Sequence, residues 1–262
     1  DVSSSDLTTT SGYESSKTGF SLGTGFEQYE DIFLTPGIAL SYEDIEVEPS
    51  ASTAIKKMDG TYYNMDFDYA VVVDKRNQPF QPTSGYRTKF GQSIPIVIDS
   101  SSLGNLLEFS AYHAISDDII GSVKFLAETV HGLESEDTRL TSRLFIPSNR
   151  LRGFNTRKVG PKDGEDYVGG NYVSTLNLEA ALPNLLPEST RTDISIFADS
   201  GNVWGVDYDS SIDDTNEIRS SIGVAANVWT PVGPLSFVVA QDLNKSLNDE
   251  TQFFNFRIGT SF

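Results

Sequence analysis

Apolar and polar residues alternate, one by one, over stretches of about ten residues, and the pattern recurs down the chain. Only an extended strand sends successive side chains to opposite faces, so each stretch predicts a β-strand with one apolar and one polar side. Phe20, Leu22, Thr24 and Phe26 share a face, with Ser21, Gly23 and Gly25 opposite. Ile32, Leu34, Ile38, Leu40 and Tyr42 repeat the arrangement. Tyr63, Met65, Phe67, Tyr69, Val71 and Val73 then oppose Asn64, Asp66 and Asp68. Further segments at 84–96, 105–116, 119–131, 170–182, 191–204, 217–229, 234–243 and 252–262 bring the expectation to about eleven strands. No helical period competes over a comparable length.

Composition supports an all-β chain and narrows its chemistry. The 262 residues include 21 Gly, 11 Pro, 16 Phe and 11 Tyr but are only 38% hydrophobic, a mixture that suits strands and turns. There is no Cys, which excludes disulfides, thiolate metal sites and thiol nucleophiles. The two histidines, His113 and His131, are far apart and form no metal-binding spacing. With 19 Lys+Arg against 37 Asp+Glu, the net charge of −18 argues against nucleic acid as a partner. The opening DVSSSDLTTT has no Met and neither the basic nor the apolar region of a signal peptide. Ile222–Gln241 carries no charge, yet Thr230-Pro231-Val232-Gly233-Pro234 would break a membrane helix there, so this run reads as two strands and a turn.

The same alternation fits a soluble sandwich, with its polar face outside, or a membrane barrel, with its apolar face outside. In the last strand Phe254, Phe256, Ile258, Thr260 and Phe262 alternate with Phe253, Asn255, Arg257, Gly259 and Ser261. In 170–182, Leu176, Leu178, Ala180 and Leu182 alternate with Thr175, Asn177, Glu179 and Ala181. Strand lengths match a tilted bilayer crossing. Short connections at 28–31, 116–119 and 230–234 alternate with long ones at 48–61, 132–169 and 205–216, as periplasmic turns alternate with outer loops. The connection at 77–84 is the exception, being about as long as the loop at 97–104. The expectation is an antiparallel transmembrane β-barrel forming one domain over 1–262, with its last strand ending on the periplasmic side.

On this register His113 shares the outward face with Phe109 and Ala111, which argues against a hydrolase using His113 and a serine. The chain is expected not to be an enzyme. Tyr42, Tyr86, Trp204 and Trp229 lie at strand ends and read as interfacial girdle residues. Acidic clusters, Asp207, Asp209, Asp213, Asp214 and Glu217 in one loop and Glu134, Glu136, Asp137, Asp163, Glu165 and Asp166 in another, lack a calcium-loop spacing and read as solvated loops. No metal and no cofactor are assigned.

The connection 132–169 is too long for a hairpin, and it carries Phe145-Ile146-Pro147 and Leu151-Arg152-Gly153-Phe154. Such apolar residues predict that it folds back into the lumen. Arg152 would then need carboxylate partners, and Glu179 and Asp199 sit on the polar faces of successive strands. The other reading is a solvated Arg152 beside carboxylates that merely line a wet pore. Spacing alone leaves both open.

These residues resemble the BamA branch of the outer-membrane protein assembly family. Leu151-Arg152-Gly153-Phe154 is similar to that family's loop motif. The likeness continues through Gly160-Pro161-Lys162, Gly169-Gly170-Asn171, Asn177-Leu178-Glu179, the run 197–204, Pro231-Val232-Gly233-Pro234-Leu235 and the run 256–262, with a weaker match from Asp74-Lys75-Arg76 to Gly85. The resemblance implies that Arg152 contacts Glu179 and Asp199. It also implies that the last strand, with Phe254, Phe256, Ile258 and Gly259, is the mobile side of a lateral seam, and that Phe262 belongs to a terminal recognition signal. Implied too are insertion of β-barrel clients into the bacterial outer membrane without ATP, contact with outer-membrane lipid, and periplasmic lipoprotein partners. A polypeptide-secreting transporter of the same superfamily and a passive porin are the alternatives.

Family members have a barrel of about sixteen strands and periplasmic POTRA domains. This chain offers no POTRA region, and matching backwards from Phe262 places Asp1 in an outer loop, with about five strands absent before it. An odd strand number also disagrees with the even counts of bacterial barrels, so an open, curved sheet is expected.

Overall fold

A computed structural model of the protein describes residues 2–7, 11–98, 102–133, 136–230 and 233–258. In chain order the strands are β1 Val2–Asp6, β2 Tyr13–Gly23, β3 Phe26–Tyr29, β4 Ile32–Val47, β5 Gly60–Asp74, β6 Ser84–Ile98, β7 Ser102–Ser116 and β8 Ile119–Gly132. After the small pair β9 Lys162–Asp163 and β10 Asp166–Tyr167 come β11 Tyr172–Leu182, β12 Thr192–Trp204, β13 Arg219–Thr230, β14 Gly233–Asn244 and β15 Phe254–Ile258. One sheet runs β1-β2-β4-β5-β6-β7-β8-β11-β12-β13-β14-β15, with β3 also on β4. Its neighbours are antiparallel throughout.

Each of the eleven alternating segments lies in this sheet. β2 and β3 are one crossing interrupted at Thr24-Gly25, where the Thr24 N–H still donates to the Pro36 carbonyl at 3.0 Å. Asp1, expected in an outer loop, lies outside the described residues; residues 2–6 form a strand that pairs with Glu14–Thr18. Val2-Ser3-Ser4-Ser5-Asp6 has no apolar alternation to reveal a strand, and its order comes from the ladder offered by β2.

Burial is inside out. On β11 the leucines Leu176 and Leu178 are 41% and 46% exposed, whereas Thr175 and Asn177 are 1% and 3% exposed. Ile196, Ile222, Val224, Val239, Phe254 and Phe256 are likewise exposed on neighbouring strands. Each large apolar side chain left in water forgoes about 1.5–3 kcal/mol, so a whole face of them is stable only against lipid. Among the described residues no helix is long and apolar enough to cross a membrane; the strands supply the crossing.

The core lies between the sheet's polar face and residues 136–171. Leu126, Val173 and Val203 from the wall pack with Ile146, Leu151, Phe154 and Val159 of the loop. A second cluster joins Tyr13 and Ile45 to Ala51, Ile55, Leu140 and Val168. There the outer connection after β4 folds into the short helix α1, Thr53–Lys56, whose first turn is capped by the Ser52 hydroxyl accepting from Ile55 N–H at 3.2 Å.

At the end of the sheet that carries the short turns, the connection 75–83 reaches across four strands. Phe80 meets Trp229 edge-on at 5.1 Å, and Gln81 donates to Asp193 at 2.7 Å. Trp229 therefore corrects its girdle assignment: its indole N–H donates to Asp193 at 2.7 Å on the inner side. Alternation decides this, because Ile222 and Val224 face outward and residue 229 has the opposite parity. Trp204 instead stacks on Tyr172 at 5.5 Å.

Candidate functional site: the inward loop and its anchors

Arg152 is held on several sides. Its Nε and Nη2 donate to the two oxygens of Asp199 at 2.8 Å each, its backbone N–H donates to Asp199 Oδ2 at 3.0 Å, and Nη1 donates to Glu179 Oε2 at 2.9 Å. The guanidinium also lies 3.5 Å from the Phe197 ring centroid. Strand register builds this cradle. Asn177 is paired with Asp199 and Glu179 with Phe197 across β11 and β12, so all four face the lumen together. Asn177 closes it, donating to Asp199 at 2.8 Å and to the Arg150 carbonyl at 2.7 Å. The side-on, two-oxygen pairing with Asp199 is the geometry in which a buried arginine offsets its desolvation cost.

The residues beside Arg152 explain why the segment sits so close to the wall. Leu151 and Phe154 are buried in the core cluster. Gly153 has φ +91°, and a Cβ there would lie 3.0 Å from Ala240 Cβ. Glycine alone combines that backbone with that approach. Phe154 forms a bridge to Thr251, and Gln252 N–H donates to the Gly153 carbonyl at 2.8 Å.

Sequence reasoning singled out one arginine, but the loop uses several. Arg139 donates to Glu43 at 3.3 Å and Asn64 at 3.1 Å, and lies 3.9 Å from the Tyr62 ring centroid. Arg143 pairs with Asp207 and donates to Asn171 at 3.3 Å. Arg150 reaches Glu108 at 3.4 Å. The available signal was the crowding of Arg139, Arg143, Arg150, Arg152 and Arg157 into one segment of an acidic chain.

Asp207 belongs to the outer loop after β12. Burial alone would raise its carboxyl pKa, but hydrogen bonds from Asn171 and Thr138 and the Arg143 charge outweigh burial and hold it below the ordinary carboxylate value. Other loop carboxylates serve their own turns: Asp209 accepts from Ser211 N–H at 2.8 Å and Asp214 from Val206 N–H at 2.9 Å. Among the described residues no group of His, Cys, Asp and Glu is arranged to hold a metal ion.

The residues expected at a lateral seam lie apart from this cradle. Phe254 and Phe256 are exposed on the outward face of β15, and Ile258 pairs with Leu235. Gly259 and Phe262 lie outside the described residues. His113 is exposed on the outward side.

The Omp85 superfamily domain matches residues 1–262. The chain belongs to the Omp85 superfamily. It is 28% identical over 257 residues to the outer membrane protein assembly factor BamA of Neorickettsia risticii, covering 95% of this chain and 34% of that protein. It is 32% identical over 139 residues to the BamA of Neisseria meningitidis serogroup B, covering 43% of this chain and 17% of that one. The crystal structure of Haemophilus ducreyi BamA lacking POTRA domains 1–3 superposes with a TM-score of 0.81 at 19% identity, over 93% of this chain and 54% of that one. The chain thus spans about a third of the first relative's length. Omp85 membership, the barrel-type fold and two bacterial outer-membrane relatives bear out the expected family, fold class and outer-membrane location.

Proposed function

We propose that this Omp85 chain is the barrel part of a factor that folds and inserts β-barrel proteins into the bacterial outer membrane, using the last strand as the exchangeable side of a seam. The observation that carries the reading is the shortness of the last ladder. Among the described residues β15 pairs with β14 over Leu235–Val239, with one further backbone bond from Ala240 N–H to the Phe253 carbonyl, although β14 extends to Asn244. An edge held by five residue pairs exchanges partners at less cost than a full-length one, and an exposed edge templates an incoming strand. The work is exchange of backbone hydrogen bonds, which requires neither ATP nor a catalytic side chain, so the protein is not an enzyme on this reading. Outer-membrane lipid faces the apolar side, unfolded barrel chains are the clients, and periplasmic lipoproteins are the proposed partners.

The test is insertion of an unfolded client barrel into liposomes containing the full-length protein, scored by protease protection, with Arg152→Glu alongside. Accelerated insertion that the substitution weakens supports the reading. No acceleration, together with steady solute conductance, would replace it with a transport pore.

A further inference from the structure

We propose that Asp249 is a positioning residue that fixes the last strand by tying its preceding connection to the inward loop; its functional meaning rests on the insertion reading above. Past Val239 the sheet no longer guides the chain that leads into β15. Ala240 N–H still reaches the Phe253 carbonyl at 2.9 Å, but residues 245–252 run along the inward loop instead. Asn155 N–H donates to the Glu250 carbonyl at 2.9 Å, Glu250 N–H to the Lys158 carbonyl at 3.0 Å, and Gln252 N–H to the Gly153 carbonyl at 2.8 Å. The missing upper half of the last ladder has, in effect, been made with the loop.

Asp249 lies at the centre of this contact, with a fully buried side chain. Oδ2 accepts from Arg219 Nε at 2.8 Å and from Ser246 N–H at 2.7 Å; Oδ1 accepts from Gly160 N–H at 3.1 Å and Arg219 Nη2 at 3.3 Å. One carboxylate thereby joins β13, the inward loop and the final connection. Both ends of the tie are stiff. Arg219 is itself buried and donates to the Glu217 carbonyl at 2.8 Å and to Asn202. Gly160 has φ +102°, and a Cβ there would lie 2.4 Å from Val203 Cγ1, so the backbone that donates to Asp249 is packed directly against the wall at β12. Arg152 and Asp249 consequently have different tasks. The first seats the loop on β11 and β12, and the second lets the seated loop hold β15.

The test is amide hydrogen exchange on the full-length protein in liposomes, comparing Phe254–Ile258 with Tyr172–Leu182. Asp249→Asn keeps the shape and an acceptor for Gly160 but loses the charged fork to Arg219. It should speed exchange in β15 about tenfold and leave β11 unchanged. Glu250→Ala, which spares the backbone ladder, should change neither strand. Unchanged exchange in β15, or equal acceleration of both strands, would overturn the proposal. If Asp249→Asn does not fold, Arg219→Lys keeps the charge, removes the fork and is read by the same contrast. The exchange result stands whether or not the wild-type protein inserts clients, so failure of the latch and failure of the insertion reading are separately visible.

Discussion

Two pairs of adjacent strands in one sheet, β7 with β8 and β14 with β15, are held by different means. β7 and β8 face each other over fourteen partnered positions, and each crossing of this kind is secured by its own ladder. β14 and β15 share five among the described residues, and the connection leading into β15 rests on the inward loop. The wall is therefore a property of strand pairing, whereas the edge is a property of packing inside the lumen. Disturbing the loop should loosen the edge first and the wall little.

The largest effect should come from Arg152→Glu, which leaves Asp199 and Glu179 facing a third carboxylate. Loss of a buried charge partner costs about 3–5 kcal/mol, enough to unseat the loop. Limited trypsin digestion should then cut at Arg139 to Arg157 while the strands stay intact; an uncut loop would break the comparison. Phe154→Ala should follow at about 3 kcal/mol, since it empties a packed site shared with Leu151 and Val159. Thermal unfolding of the loop signal, rather than of the sheet, is the readout. Gly153→Ala combines a positive φ with contact at Ala240 and should cost about 1–2 kcal/mol. Its effect on exchange should appear in β15 before β7.

Acid should act next, through Asp207. Its carboxyl pKa is depressed in the folded protein, so its contribution is present above the ordinary carboxylate range and is lost as the pH falls through the depressed value. Pepsin, which works in acid, should cut the inward loop near Phe145 more readily as the pH falls through that window. The smallest effect belongs to Lys57→Glu, an exposed reversal on the outer connection, expected within about 0.5 kcal/mol of wild type in every assay. A large effect there would mean that overall charge, not the anchors, governs the loop.

Much of the wall was legible because alternation records two environments at once. Thr175, Asn177 and Glu179 opposite Leu176 and Leu178 carry both the strand and its two faces. Alternation could not say which face meets lipid; exposure of Leu176 and burial of Asn177 decided that. Arg152 was legible because an arginine between Leu151 and Phe154 must carry its charge into a packed place. Glu43, Asp207 and Asp249 were not, because nothing in an acidic stretch marks which of its carboxylates will meet an arginine. Trp229 was misplaced because its position at a strand end was weighed above its parity, which is opposite to that of Ile222 and Val224 and puts it on the inner face.

Consecutive crossings of the sheet are hairpin neighbours in sequence, except that β8 joins β11 across the inward loop. The wall can therefore form in chain order by local closures, each of modest entropic cost. The loop cannot settle on that schedule. Its contacts run from Glu43 on β4 to Asp249 just before β15, so its last bonds await nearly the whole chain. A sheet stalled short of the final hairpin would leave Gly160 and Arg219 without their carboxylate. The loop's bonds to the wall can thus form on β11 and β12 first, while its bond to Asp249 waits for the final connection to arrive.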